Sequence, residues 1–230
     1  MKRSFAADAK SVVAVVITRE FAIVLASLLV FDALIVSVHV ASVLLRNAGS
    51  QHVLAQPFFN LGQDRGLGEV FGYVKLLACA VLLTSIWKAT HTRIFLAFAF
   101  LYLYALLDDA MSIHEQIGDV LQVRGYRKEL GEAPALVAPS LIAIAVFARE
   151  FRSTCKEYQA LGFAYFGLFA ALAFFAVFLD ALHVPVVIED GGELATLSFH
   201  TAFTASLFRV LDASRNAGKA GMIWTRWGRS

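Results

Sequence analysis

Within the eight residues from Asp108 to Glu115 the chain sets two adjacent aspartates, a histidine and a glutamate, as Asp108-Asp109 and His114-Glu115. Carboxylate oxygens bind hard divalent cations and an imidazole adds affinity for zinc or iron, so Asp108, His114 and Glu115 are candidate metal ligands. A bound ion would bring the pKa of its water toward neutrality, and Asp109 and Glu115 are candidates to handle the proton. Asp108, Ser112, Glu115 and Asp119 recur at steps of four, three and four. That spacing predicts one polar stripe on a helix continuing beyond the apolar run. On such a helix Asp109 and His114 would point about 100° and 120° away from the stripe. A site using all of them needs a bend in the helix or a division of roles.

Three further groups have the residue types for chemistry. Glu189-Asp190-Gly191-Gly192-Glu193 precedes an apolar run that contains His200. Asp190 with Glu193 reads as a capping box, which would account for both acids at a helix start. It leaves His200 unexplained, and Glu193, Thr196 and His200 form a second polar stripe. Glu193 and His200 therefore join the candidate metal ligands, with Glu189 in support. Asp32 falls near the middle of an apolar run with His39 seven residues later on the same face, and Lys75 lies inside the next run. Ionisable residues in such segments mark ion or proton routes, or pair with one another. Lys75 is a ready partner for Asp108 or for Asp32. Asp180 and His183, at i and i+3, complete the supporting set.

The elements that must position these groups are membrane-length helices. Hydrophobic residues make up 59% of the 230, the mean hydropathy is +0.68 and Phe alone contributes 20. A soluble domain of this length is far less apolar. The formal net charge is +2 with no basic stripe, which argues against a nucleic-acid partner. Cys79 and Cys155, expected near opposite faces of the membrane, give neither a disulfide nor a Cys-x-x-Cys metal motif. A hydrocarbon core of roughly 30 Å needs about 20 apolar residues in helix. Six runs meet that length: Phe21–Leu45, Val70–Trp87, Ile94–Ile113, Pro134–Phe151, Leu161–His183 and Glu193–Leu211. Pro185 and Gly191-Gly192 are expected to break the chain before the last run.

The expected fold is an all-α, polytopic helical bundle of about six transmembrane helices with both termini inside. Its single transmembrane domain spans residues 21–212, after an amphipathic cytoplasmic lead-in over 1–20 and before a basic cytoplasmic tail over 213–230. The orientation comes from lysine and arginine. In this arrangement 14 of the 20 lie on the inner side and 5 (Arg46, Arg65, Arg124, Arg127 and Lys128) on the outer, with Lys75 inside a span. The acidic clusters run the other way and gather toward the outer face. Between the first two spans, Phe59 to Glu69 is a glycine-punctuated outer loop. It lacks the strand and the Lys-Ser/Thr that a phosphate cradle needs.

Phe59-Asn60-Leu61, Leu107-Asp108-Asp109 with His114-Glu115, and Glu189-Asp190 with Glu193 resemble an uncharacterised family of bacterial multi-pass membrane proteins. That family has a Phe-Asp-Leu loop, a Leu-Asp-Glu followed by His-Glu, and a Glu-rich start to the sixth helix. Asn60 and Asp109 depart from its pattern. The resemblance implies an inner-membrane location and no particular activity. The chain lacks the His-x-x-x-His pair and the seventh span of alkaline-ceramidase-like hydrolases.

Two functional expectations stand beside a purely structural role. The first is a divalent-metal site near the extracytoplasmic face, zinc or iron, serving metal-assisted hydrolysis or redox chemistry. The second is a proton- or cation-coupled transporter or channel-like protein, in which Asp32, Lys75 and Asp108 mark the route. The expected surroundings are the lipid bilayer and a small molecule, lipid or ion. Oligomeric state and substrate are not encoded in any motif.

Overall fold

The computed structural model describes residues 16–63, 65–123, 128–151, 153–179, 182 and 184–216. Among these the chain is helical without strands. The helices are α1 (Arg19–Asn47), α2 (Leu67–Thr90), α3 (Arg93–Met111), α4 (Ile113–Val123), α5 (Lys128–Phe151), α6 (Lys156–Ala173) and α7 (Val186–Asn216). A π-helical stretch, Phe174–Leu179, continues α6. Among the described residues five segments are long and apolar enough to cross a membrane: Arg19–Asn47, Leu67–Thr90, Arg93–Met111, Lys156–Ala176 and Val186–Ala213. The run expected as a fourth span falls in α5, and the side chains of residues 122–136 lie outside those described. The same holds for most of the lead-in and of the basic tail.

Local sequence explains the helix ends. Thr18 caps α1 by accepting from the Phe21 N–H at 3.2 Å, with Glu20 in the first turn and Arg46 in the last, each placed to suit the helix dipole. Glu69, in the first turn of α2, reaches back to the Arg65 N–H at 2.5 Å and accepts from the Tyr73 hydroxyl at 2.7 Å. That contact holds Arg65 at φ +58°, a left-handed geometry rare for a residue with a Cβ. Pro185 precedes α7, and its carbonyl accepts from the Ile188 and Glu189 N–H groups.

Two expectations are corrected here. Gly191 and Gly192 do not break the chain, because α7 already runs from Val186 and contains both. Asp190 is therefore inside the helix and is not its N-cap. The glycines serve packing: a Cβ on Gly192 would meet the Phe175 ring at 2.1 Å, so only hydrogen fits there. Likewise α3 does not carry its polar stripe past the apolar run. Ser112, at φ 48° and ψ 46°, ends α3 in the left-handed region, and α4 restarts at Ile113.

Chain contacts divide the molecule into two compact units. Of the described residues, one comprises those within 76–162 and 208–216, the other those within 16–75 and 163–207. In the first, α3 and α4 pack against α5. Its interior holds Leu83, Ile94, Phe95, Phe98 and Tyr102, with the Phe95 ring edge-on to Tyr158 at 5.3 Å. Gln159 Nε2 donates to the carbonyls of Phe151 and Thr154, satisfying the end of α5. In the second unit α1 packs against two 3₁₀ turns, Val53–Ala55 and Pro57–Phe59. Its upper core joins Ile35, Leu61 and Leu194, flanked by Val36, Leu67 and Phe71. Outward-facing side chains such as Val30, Phe31, Leu34, Leu44, Val74 and Val81 are apolar, a surface that suits hydrocarbon rather than water.

Candidate functional site

The buried face of α1 reads Asp32, Ile35, His39 and Ser42, at steps of three, four and three, so these three polar residues share the inward face with Ile35. Asp32 lies about 20 Å from the start of α1 at 1.5 Å per residue, close to mid-helix. It is 4% exposed and Lys75 1%. Lys75 Nζ donates to Asp32 Oδ1 at 2.5 Å, to the Leu194 carbonyl at 2.9 Å, and stands 4.4 Å from the centre of the Phe71 ring. Ser198 Oγ donates to the other Asp32 oxygen at 2.6 Å. Three helices, α1, α2 and α7, thus meet at one ion pair. Lys75's three N–H directions find a carboxylate, a carbonyl and an aromatic face, and both carboxylate oxygens accept. A charge buried this deeply is tolerable only with such pairing.

Two turns beyond Asp32 along α1, His39 performs a different task. The Leu61 N–H donates to His39 Nδ1 at 2.9 Å, and the Asn60 side chain is also hydrogen-bonded to His39. A backbone N–H can only donate, so Nδ1 is bare and the ring proton is on Nε2. His39 therefore anchors the loop between α1 and α2. Further along, the Ser42 hydroxyl is wholly buried with no hydrogen-bond partner among the described residues.

In the other unit the break at Ser112 brings Asp108 and His114 together. Asp108 Oδ1 accepts from the His114 N–H at 2.9 Å and Oδ2 meets His114 Nδ1 at 2.9 Å. An ionised carboxylate only accepts, so Nδ1 carries the proton and Nε2 is left for another partner. The sequence poses a problem here, since carboxylates at the C-terminal end of α3 oppose its dipole. The structure answers it: Asp108 caps the N-terminus of α4, whose first N–H groups lack intrahelical acceptors. Gln116 Nε2 closes the same turn by donating to the Met111 carbonyl at 2.6 Å.

The remaining predicted residues scatter over both units. Asp109 is in the last turn of α3, where its carbonyl accepts from the Ser112 N–H, and Glu115 is half-buried in the first turn of α4. Glu189 and Glu193 are half-buried in the first turns of α7. His200 is wholly buried, edge-on to the Phe169 ring at 5.6 Å and hydrogen-bonded to the Leu168 backbone. Thr196 hydroxyl bonds back to the Gly192 carbonyl at 2.8 Å. Asp180 and His183 lie outside the described residues. Among the described residues no three His, Cys, Asp or Glu stand close enough to hold a metal ion. Of the candidate ligands, the structure brings Asp108 and His114 into contact.

Sequence reasoning missed Ser198, the Leu194 carbonyl and the Phe71 ring. Their signal is weak but present: Leu194 and Ser198 are four apart on α7, so the carbonyl and the hydroxyl face one side of it. Phe71 and Lys75 stand in the same relation on α2. The roles of Asn60 and Leu61 depend on a contact 22 residues away, which periodicity does not encode.

No curated protein and no solved structure matches the chain. The family described as a domain of unknown function, DUF8692, matches residues 21–207, and the chain belongs to that family.

Proposed function

We propose that the protein is a multi-pass membrane protein, with both termini inside, that carries protons or cations through the Asp32–Lys75–Ser198 site. The observation that carries this reading is the ion pair itself, buried at mid-helix where α1, α2 and α7 converge. A buried pair contributes little net stability compared with apolar residues of the same volume. Charges at bilayer depth are costly and mark ion or proton pathways. In the resting arrangement Lys75 neutralises Asp32. A proton arriving on Asp32, or a cation competing for its oxygens, frees Lys75 to the Leu194 carbonyl and the Phe71 ring, which already hold it. The site thereby exchanges an internal counter-ion for an external one without leaving Lys75 unpartnered.

Purified protein in liposomes with an imposed pH gradient tests this. Proton or cation flux is expected from the native chain and its loss from Asp32→Asn. Absence of flux from the native chain, across protons and the common monovalent and divalent cations, would overturn the proposal.

A second reading, metal-assisted hydrolysis or redox chemistry at the outer face, is favoured by the Asp108–His114 contact. A carboxylate on Nδ1 fixes the ring and its tautomer, as it does for zinc-binding histidines. Near-stoichiometric zinc or iron in protein purified without chelators, lost in Asp108→Asn, would support it. Metal-free native protein would remove it.

A further inference from the structure

Leu61 belongs to the apolar cluster beside the ion pair. Its side chain, 3% exposed, packs on Ile35, one turn from Asp32, and on Leu194, whose carbonyl accepts from Lys75. The fit is close: a Cβ on Gly68 would stand 2.7 Å from Leu61 Cδ1, and one on Gly62 would stand 3.2 Å from Val186. What holds the residue there is the hydrogen bond from its own N–H to His39 Nδ1, supported by Asn60. The plug is therefore fastened through an atom that also binds protons.

We propose that the Asn60–Leu61 turn is a proton-operated plug beside the Asp32–Lys75 site, released when His39 Nδ1 takes up a proton. The added proton turns the acceptor into a donor, so two N–H groups face each other where one hydrogen bond stood. The Leu61 N–H then needs water, and the turn moves outward to reach it. The apolar side chain follows and exposes Asp32 and Lys75. The charged groups around His39 set the balance. Arg46 is on the same helix, α1, and acts on the ring through its charge. Asp190 on α7 approaches the other side of the turn, with Oδ2 3.6 Å from a Cβ position on Gly62. Glu69 at the start of α2 is occupied by the Arg65 N–H and the Tyr73 hydroxyl. The inference deepens the transport reading and rests on it for what the opening serves.

Hydrogen exchange of the 60–62 amides, in full-length protein in nanodiscs and corrected for intrinsic rates, tests the plug without any flux measurement. Protection in the native chain is expected to fall at least tenfold from pH 8 to pH 5. His39→Asn retains an acceptor near the Nδ1 position but does not titrate, so its protection is expected to stay high at both values. His39→Ala lacks the acceptor and is expected to be poorly protected throughout. If that variant does not fold, the native and Asn proteins still decide. Flat protection in the native chain, or the same fall in His39→Asn, would overturn the plug. Flux in liposomes separates the two proposals: Asp32-dependent flux with flat protection sinks the plug alone, and pH-dependent protection without flux sinks transport alone.

Discussion

Removing one member of the Asp32–Lys75 pair should be far worse than removing both. At 2.5 Å and an effective dielectric of about 20, the gross attraction is about 7 kcal/mol. Most of it offsets the desolvation of the two groups, so the net value of the pair is small. A single substitution keeps one desolvation cost and loses the attraction. Lys75→Met leaves a buried carboxylate with only the Ser198 hydroxyl, and Asp32→Asn leaves a buried ammonium without its counter-charge. Each is expected to cost about 3–5 kcal/mol, the range for breaking a buried pair. The double variant Asp32→Asn/Lys75→Met retains the Ser198 contact and buries no charge. It should return to within about 2 kcal/mol of the native chain, giving a coupling energy of about 3 kcal/mol or more. Equilibrium unfolding in mixed detergent and SDS micelles, followed by helical circular dichroism, measures all four proteins. Single variants near native stability, or a double variant as unstable as the sum of the singles, would refute the reasoning.

Other expectations concern packing, capping and thiol chemistry. Gly192→Ala places a methyl 2.1 Å from the Phe175 ring and should cost about 1–3 kcal/mol by overpacking, whereas Gly167→Ala, with nothing within 4 Å of the new atom, should be neutral or stabilising by up to about 1 kcal/mol. The same micelle assay compares them. Asp108→Ala removes both acceptors for His114 and should cost about 1–3 kcal/mol, read as earlier exchange of the α4 amides. At the foot of α6, desolvation followed by the neighbouring Glu157 pushes the Cys155 thiol up to about 11, although the residue itself is exposed. The thiolate is the reactive form, so maleimide labelling should be slow at pH 7 and rise about tenfold per pH unit through pH 10. Cys79, wholly buried, should stay unlabelled.

Much of the helix plan was legible because hydrocarbon demands unbroken apolar runs, and such runs are visible in order along the chain. The boundaries were less so. Gly191-Gly192 looked like a break because two adjacent glycines lower helix propensity, yet the Phe175 ring uses the space they leave. Ser112 carried no left-handed signal, since that geometry is imposed by Asp108 reaching forward to α4. Lys75 could be read as a partner of Asp108 or of Asp32, because depth alone does not distinguish two carboxylates at similar levels. Side-chain direction separates them: Asp32 is on the buried face of α1 and Asp108 is engaged by His114. His39 was legible as part of the Asp32 face, but its task of fastening a loop was not, because the group it holds is a backbone N–H that every residue shares.

The long separation between the members of the ion pair also has a consequence for biogenesis. Lys75 follows Asp32 by 43 positions and Ser198 follows it by 166. At about 5–20 residues per second, Lys75 is made about 2–9 s after Asp32, and Ser198 about 8–33 s after it. A mid-span aspartate costs about 2.5–3.5 kcal/mol to insert alone. The first helix is therefore a poor candidate for independent release into lipid and a good one for leaving the translocon as a hairpin with the second. The seventh then completes a neutral cluster already half assembled. Moving Lys75 one turn along its helix should slow insertion of the first helix even where the finished protein tolerates the change.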